Sequence, residues 1–458
     1  MYQLRLKEKN DTRLLEHLRN SQISFWIDSS GGPKELCNLS FYGTEPKYYM
    51  YGYLDEVNLV DCESGAITFA NENSFDFLEE KIKEEKNNKN GIFVGYFAYD
   101  LFFSSAKYPS FFFAYFEDTH VIASPFRGEA IPIEFIKERS RLLRRHYVPP
   151  RNDTLRSNMT DSEYLSKVKL IKEEIKAGNV YQVNLTREYS IEIKSIDELD
   201  LYLRLRSASP NPYGCFFKTP FVSILSSSPE EFLFVKDGSI RTRPIKGTLP
   251  KGILNIDPKN QAENIMIVDL ERNDLGRVCK YGSVRVKKLL DIEPYKELNH
   301  VVSTIEGKLR EEVRLKNIFQ ALFPGGSITG APKISAMKII NKIEPTNRGA
   351  YTGSFGYIKA DGEMNFNILI RTIFLTKNLS LRANEMSEAI PNEFSKSTRD
   401  CFVGTNVPPR NDTFRVTFNV GGGIVADSAP ESELEEIRLK AKGIMNALGV
   451  KSLQCLYF

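Results

Sequence analysis

Two blocks of this chain occur twice at one fixed offset, and that repetition limits which parts can build a folded core. Glu129-Ala-Ile-Pro132-x-Glu134-Phe135-x-Lys137 returns as Glu388-Ala-Ile-Pro391-x-Glu393-Phe394-x-Lys396. Val148-Pro-Pro-Arg-Asn-Asp-Thr154 returns as Val407-Pro-Pro-Arg-Asn-Asp-Thr413, and both pairs stand 259 residues apart (129 to 388, 148 to 407). A duplicated segment explains one spacing kept by two separate blocks, whereas a solenoid needs at least three adjacent copies. Residues 121–156 and 378–415 therefore read as two insertions of a related element, or else as two similar loops native to the fold. Either belongs on the surface, where a long connection costs little entropy and leaves no backbone group stranded. The core must come from residues 1–120, an amino-terminal part, and 157–458, the main region, which the second element interrupts at 378–415.

Those remaining residues alternate between strand and helix signals without βαβ regularity, so the class is mixed α and β. Phe221–Leu225, Phe232–Val235, Phe366–Leu375 and Val416–Val420 are β-branched and aromatic, as strands are. Thr160-Asp-Ser-Glu163 is a capping box, followed by Leu165, Val168, Ile171 and Ile175 at helical spacing, and this predicts a helix ending near Gly178. Gln261–Asp274, with Ile265, Met266, Val268 and Leu270 expected inside, Pro332–Lys342 and Glu431–Leu448 also read as helices.

Composition removes several function classes. Lys+Arg exceeds Asp+Glu by only 62 against 59, too even a balance for the basic stripe that a phosphate backbone requires, so nucleic acid is excluded as the main partner. The six cysteines show no Cys-x-x-Cys spacing, which argues for reduced thiols and against a zinc site. No apolar run approaches the roughly 20 residues that span a bilayer, and the first ten residues are charged. A cytoplasmic protein without a membrane partner is expected.

Candidate chemistry is scattered. Glu433, Glu436 and Lys440 fall on about one face of the last helix, after Gly421-Gly-Gly, where two carboxylates could hold a hard cation or simply form a solvated acidic face. Glu263 and Asp269 lie on another helix at the expected edge of a core. Phe323-Pro-Gly-Gly-Ser-Ile-Thr-Gly-Ala-Pro-Lys333 is a glycine-rich loop opening into a helix. Its exposed N–H groups would suit a carboxylate, and Ala331-Pro332 rules it out as a nucleotide P-loop. Lys246, between Ile245 and Gly247, is a candidate nucleophile if burial lowers its pKa, and Glu230 at a strand end is a candidate acid or base. A surface lysine at a turn and a structural carboxylate are the plainer readings of those two.

Taken in order, Ser228-Pro-Glu230, Pro244-Ile-Lys-Gly-Thr248, Ala262-Glu263 with Asp269-Leu-Glu-Arg-Asn-Asp-Leu-Gly276, His300-Val-Val-Ser303, Phe323–Lys333, Arg348-Gly-Ala-Tyr351-Thr-Gly353, Ile370-Arg371-Thr372 and Gly422–Ser428 with Pro430-x2-Glu433-x2-Glu436-x3-Lys440 resemble the chorismate-binding enzyme family. The resemblance runs from about Tyr164 to Leu448, and weakly into Phe25–Ser29 and Gly95–Asp100. It implies an α+β fold like that of anthranilate synthase component I, with large antiparallel sheets packed face to face and helices outside. Tyr181-Gln-Val-Asn-Leu185 and the lysine of Pro-Ile-Lys-Gly-Thr resemble the branch that aminates chorismate at C4. The branch that aminates C2 typically carries Pro-Ile-Ala-Gly-Thr. Gln182 stands where the water-adding branch has a lysine base, so water addition is disfavoured.

The resemblance further implies Mg²⁺ held by Glu263 and Glu436, with Glu433 in its outer shell. Lys246 becomes the nucleophile, Glu230 the general acid and His300 a neighbour of the departing hydroxyl. Gln182, Gly247, Thr248, Thr329, Tyr351, Arg371, Gly422 and Lys440 surround the substrate and its carboxylates. No cysteine sits in the Gly-x-Cys-x-Gly elbow of a glutamine amidotransferase, so ammonia is expected from a separate amidotransferase subunit. Glu231 and Asn264 depart from the residues frequent in relatives. Two other readings stay open: a C2-aminating relative, and an inactive protein that binds only chorismate or its partner subunit.

Overall fold

Phe111–Phe116 reads Phe-Phe-Phe-Ala-Tyr-Phe and is buried at every position, which requires apolar packing on both faces of the strand. The computed structural model, which describes residues 11–33, 36, 40–102, 108–122, 155–295, 298–378, 413–450 and 456–457, provides it with two stacked sheets. The first runs from Leu456–Tyr457 at one edge through Arg156–Ser157, Gln182–Ile193, Thr413–Ile424, Thr372–Asn378, Ser223–Ser228, Tyr213–Lys218, Ser24–Asp28 and Ser40–Thr44 to His120–Ile122. The second runs from Ile245–Pro250 through Leu298–Lys308, Ser239–Arg243, Glu231–Lys236, Met364–Asn367, Ser354–Lys359, Ile92–Phe97, Phe111–Phe116, Tyr48–Tyr53 and Glu56–Asp61 to Ile67–Ala70. Pairing is antiparallel except at Leu456–Tyr457.

Side chains alternate across the sheets with period two. Phe112, Ala114, Val94, Tyr96, Phe25 and Phe217 point between the sheets. Phe111, Phe113, Phe93 and Phe97 point outward to the Ser74–Glu84, Pro258–Gly276 and Leu315–Leu322 helices. Trp26 and Phe216 point the other way, to helices Asp161–Lys176, Glu198–Ala208, Lys333–Ile343 and Pro430–Leu448. The architecture is the expected α+β one, sheet on sheet with helices outside. Each of these aromatic rings, fully buried, stabilises the layers by about 2–3 kcal/mol. Among the described residues no helix is long and apolar enough to cross a membrane.

Three local expectations are corrected. Phe366–Leu375 is not one strand: Met364–Asn367 belongs to the second sheet and Thr372–Asn378 to the first, and the chain crosses between them at Ile368–Arg371, where Arg371 takes φ +51°. An apolar run looks the same whether it stays in one sheet or changes sheets. On the helix Pro258–Gly276, Ile265 is exposed while Asn264, Ile267, Val268, Glu271 and Asp274 face inward. Asn264 is fully buried because it bonds Ser303 Oγ (2.6 Å) and the carbonyls of Lys246 and Val301. The Phe323–Ala331 loop is buried rather than exposed. Arg348 and Asn184 both donate to the Ile328 carbonyl, at 2.9 and 3.0 Å, and the Asn184 N–H to that of Thr329, turning the loop into the body.

The capping box at Thr160 and Glu163 forms as predicted, and Gly178 closes that helix at φ +79°. Both repeated elements lie almost wholly outside the described residues. Their ends differ: Asn378 and Thr413 are paired across adjacent strands, whereas Ile122 and Arg156 belong to strands near opposite edges of the first sheet.

Candidate active site

The site forms where the chain passes from one sheet to the other. Ser228-Pro-Glu230 leaves the first sheet for the second, and Ile368–Arg371 returns beside it. The Ile368 N–H donates to the Glu230 carbonyl (3.1 Å), Ser228 Oγ to that of Ile368 (2.6 Å) and the Ser227 N–H to that of Arg371 (3.1 Å). Two functional side chains are thereby fixed by backbone. Glu230 is buried, and burial pushes its carboxyl above the usual range against the opposing pull of the Ser327 hydroxyl, Lys246 and the Ile245 N–H.

Lys246 lies on the Ile245–Pro250 strand, its Nζ 3.0 Å from Glu263 Oε1. The expectation of a lowered pKa is corrected. Burial alone lowers it, but attraction to Glu263, Glu230 and Glu436 outweighs burial and raises it. Gly247 follows at φ +98°. Thr248 Oγ1 meets His300 Nδ1 at 3.2 Å, and Tyr295 stacks edge-on against the imidazole. Burial, with the Arg371 charge nearby, pushes His300 down to about 3, so the ring is neutral.

The glycine run supplies the opposite wall. A Cβ on Gly423 would stand 2.7 Å from Glu263 Oε1 and 2.4 Å from Gln182 Nε2; one on Gly422 would stand 3.5 Å from Glu433 Oε2 and 3.7 Å from Glu436 Oε1. The Gly423 distances are shorter than real Cβ contacts, so a side chain there would have to displace Gln182 and Glu263, whereas those at Gly422 are ordinary contacts. Lys440 pairs with Glu436 (2.7 Å) and donates to the Gly421 carbonyl, and Lys259 pairs with Glu433 (3.2 Å). Burial opposes the ionised form of Glu436, yet Lys440, Lys259 and Lys246 together hold its carboxyl below the usual range. Gln182 is fully buried, and neither of its amide atoms has a hydrogen-bond partner among the described residues.

The expected metal residues thus lie against adjacent glycines, Glu263 at Gly423 and Glu433 with Glu436 at Gly422. Among the described residues no three His, Cys, Asp or Glu side chains converge into a ready cage. Mg²⁺ takes only one or two protein carboxylates and keeps several waters, so Glu263 and Glu436 fit its demands. Two expected substrate residues are held by other groups of the fold. Thr329 is fully buried and its hydroxyl donates to the Gly325 carbonyl at 2.9 Å. Tyr351 is buried with Arg348 and Glu344 as the charges around it, and burial raises its phenol. Sequence reasoning passed over Ser327, Lys259 and Glu271. Lys259 was open to discovery, standing one helical turn before Glu263.

Fold and site define a chorismate-binding enzyme. The family described as chorismate binding enzyme matches residues 40–384 and 409–446, and the chain belongs to it. Aminodeoxychorismate synthase component 1 of Salmonella typhimurium is 38% identical over 306 residues, covering 64% of this chain and 59% of that protein. The protein of the same name from Bacillus subtilis is 32% identical over 373 residues, covering 72% and 79%. Anthranilate synthase component 1 of Synechocystis is 36% identical, covering 64% and 54%. The chain thus spans about three fifths of the Salmonella protein and more of the Bacillus one. The crystal structure of anthranilate synthase component I from Streptococcus pneumoniae shares the fold, with TM-score 0.66 at 23% identity over 89% of this chain and 92% of that one. So does MenF, the menaquinone-specific isochorismate synthase of Escherichia coli, with TM-score 0.64 at 15% identity over 97% and 93%.

Proposed function

We propose that this protein is an aminodeoxychorismate synthase component 1, which converts chorismate and ammonia to 4-amino-4-deoxychorismate in the cytoplasm, on the route to para-aminobenzoate and folate. The observation that carries the reading is Lys246, a partly buried lysine whose Nζ is paired with Glu263 and whose charge is attracted by Glu230. A relative that aminates at C2 needs no amine there.

Glu230, buried and with raised proton affinity, gives its proton to the C4 hydroxyl, which leaves as water. Lys246 is an ammonium in the resting protein and must first give up a proton, which Glu230 cannot take because it already carries the one destined for the leaving hydroxyl. The free amine then bonds to C2 as the C4–O bond breaks and the ring double bonds shift. Ammonia attacks C4, the C2–N bond breaks and the double bonds return, so the enolpyruvyl group is kept. Neutral His300 flanks the leaving hydroxyl as a hydrogen-bonding group, and Arg371 and Lys440 hold substrate carboxylates. Mg²⁺ held by Glu263 and Glu436, with Glu433 behind them, supplies Lewis-acid polarisation of the ring carboxylate when bound. Ammonia comes from a separate glutamine amidotransferase subunit.

Chorismate, Mg²⁺ and ammonium incubated with the purified protein test the reading. A 4-amino-4-deoxychorismate product supports it. A fluorescent anthranilate product, or none, overturns it.

A further inference from the structure

Each of the three carboxylates against Gly422 and Gly423 carries one lysine: Glu263 has Lys246 at 3.0 Å, Glu436 has Lys440 at 2.7 Å and Glu433 has Lys259 at 3.2 Å. The proposed reaction has other tasks for Lys246, at C2, and for Lys440, at a substrate carboxylate. It has none for Lys259. This lysine stands in the first turn of Pro258–Gly276, among the helices outside the second sheet, and Glu433 in the first turn of Pro430–Leu448, among those outside the first. The pair therefore joins the two layers beside Glu263 and Glu436, which reach the site from the same two helices.

The Glu433 side chain is 3% exposed and that of Lys259 42%, so the carboxylate is the buried charge and the lysine reaches it from the surface. A buried carboxylate without a partner is costly. Near a divalent cation it has a second way to be satisfied, as a direct oxygen ligand. Glu433 Oε2 and Glu436 Oε1 border one position, 3.5 and 3.7 Å from where a Gly422 Cβ would stand, while Lys259 engages the other Glu433 oxygen, Oε1.

We propose that Lys259 is a positioning residue that keeps Glu433 neutralised and out of direct contact with Mg²⁺, so that the ion takes only Glu263 and Glu436 from the protein. This rests on reading those two carboxylates as the metal ligands. Lys440 is released from Glu436 when it turns to a substrate carboxylate; Lys259 has no second partner and stays on Glu433. A third carboxylate on the ion would displace a further water and leave less positive charge facing the ring carboxylate.

Calorimetric titration of Mg²⁺ into the protein, alone and with chorismate present, tests this without turnover. In Lys259→Met one positive charge is gone and Glu433 is free to ligate, so affinity for Mg²⁺ without chorismate is expected to rise about tenfold or more. Lys259→Arg keeps the charge and should match the parent, and Lys259→Met combined with Glu433→Gln should return to the parent's affinity. A clamp that merely ties the two helices together would lower the urea midpoint of Lys259→Met and leave its Mg²⁺ affinity unchanged or weaker. That result overturns the proposal, as does a rise in affinity that survives Glu433→Gln. A parent protein that takes up no Mg²⁺ in either titration overturns the metal assignment itself, and the role of Lys259 with it.

Discussion

Lys246 Nζ lies 3.0 Å from Glu263 Oε1, so the proposed nucleophile and a proposed metal ligand share one contact. Lys246→Ala removes the amine and leaves Glu263 facing Glu230 and Glu436 with one positive charge fewer. Formation of 4-amino-4-deoxychorismate is expected to fall on the order of 10³-fold, leaving amination at C2 as the residual reaction. Mass spectrometry of the parent protein mixed with chorismate without ammonia should show a covalent adduct that the variant lacks. Undiminished 4-amino product from Lys246→Ala would remove the covalent route.

Glu263→Gln and Glu436→Gln each keep side-chain volume while removing a charge that lies against Gly423 or Gly422. Calorimetric titration of Mg²⁺ in the presence of chorismate should show affinity reduced at least about tenfold in each, with urea midpoints close to the parent's. Parent-like Mg²⁺ affinity in both variants would sink the metal assignment.

The motif residues, the α+β class and the helix capped by Thr160 were legible in the sequence because each depends on neighbours a few positions away or on a resemblance spread along the chain. Lys246 was legible as chemistry but misread in sign, since the carboxylates that raise its proton affinity come from Glu230, Glu263 and Glu436, on three other elements. The sheet crossover at Ile368–Arg371 was hidden because Ile368, Leu369 and Ile373 are apolar on both sides of the break. Asn264 and Ile265 exchange their expected places for a related reason. The partners that make a buried asparagine tolerable, Ser303 and two carbonyls, are far away in sequence.

His300 gives a stability signature in acid. Its folded-state proton affinity is pushed down to about 3 by burial and the Arg371 charge, while the unfolded chain binds a proton near about 6.5. Between those values the unfolded state carries more protons, so the contribution is fully present above about 6.5 and is lost as pH falls toward 3. Its ceiling is on the order of 4–5 kcal/mol. Urea denaturation of parent and His300→Asn at several pH values should show a shallower acid loss in the variant, and equal slopes would contradict a neutral buried imidazole.

Arg348 holds the glycine loop in place. Its guanidinium donates to Glu344 through Nε (2.9 Å) and Nη2 (2.7 Å), to the carbonyls of Ile328 and Asn184 at 2.9 and 2.8 Å, and to Thr352 Oγ1 at 3.2 Å. Tyr99 packs over its face at 4.6 Å. Arg348→Met should cost about 3–5 kcal/mol, because the buried Glu344 loses its partner, and Arg348→Lys should recover little, since an ammonium cannot reproduce the fork. Denaturant titration checks both, and a double change with Glu344→Gln should be less damaging than Arg348→Met alone.

The two repeated elements should respond differently to removal, although their sequences match. Asn378 and Thr413 are paired on neighbouring strands, so the second element closes a hairpin. Cutting at Lys377 and Val416 would discard Phe414, which packs on the first sheet's outer core. Replacing 379–412 by Asn-Gly keeps that residue and supplies a two-residue hairpin turn. Loop entropy changes by about 0.6 kcal/mol per doubling, so the shortened protein should melt at the parent's temperature or a few degrees higher and keep its activity. The first element joins Ile122, on the strand at one edge of the first sheet, to Arg156, on a strand next to the other edge. Adjacent strands are about 4.8 Å apart, and that path crosses most of the sheet. Two residues reach only about 7 Å, so the same Asn-Gly replacement of 123–154 should abolish soluble folded protein. Circular dichroism and thermal melts of the two deletions decide the matter; equal tolerance of both would contradict the strand order described for the first sheet.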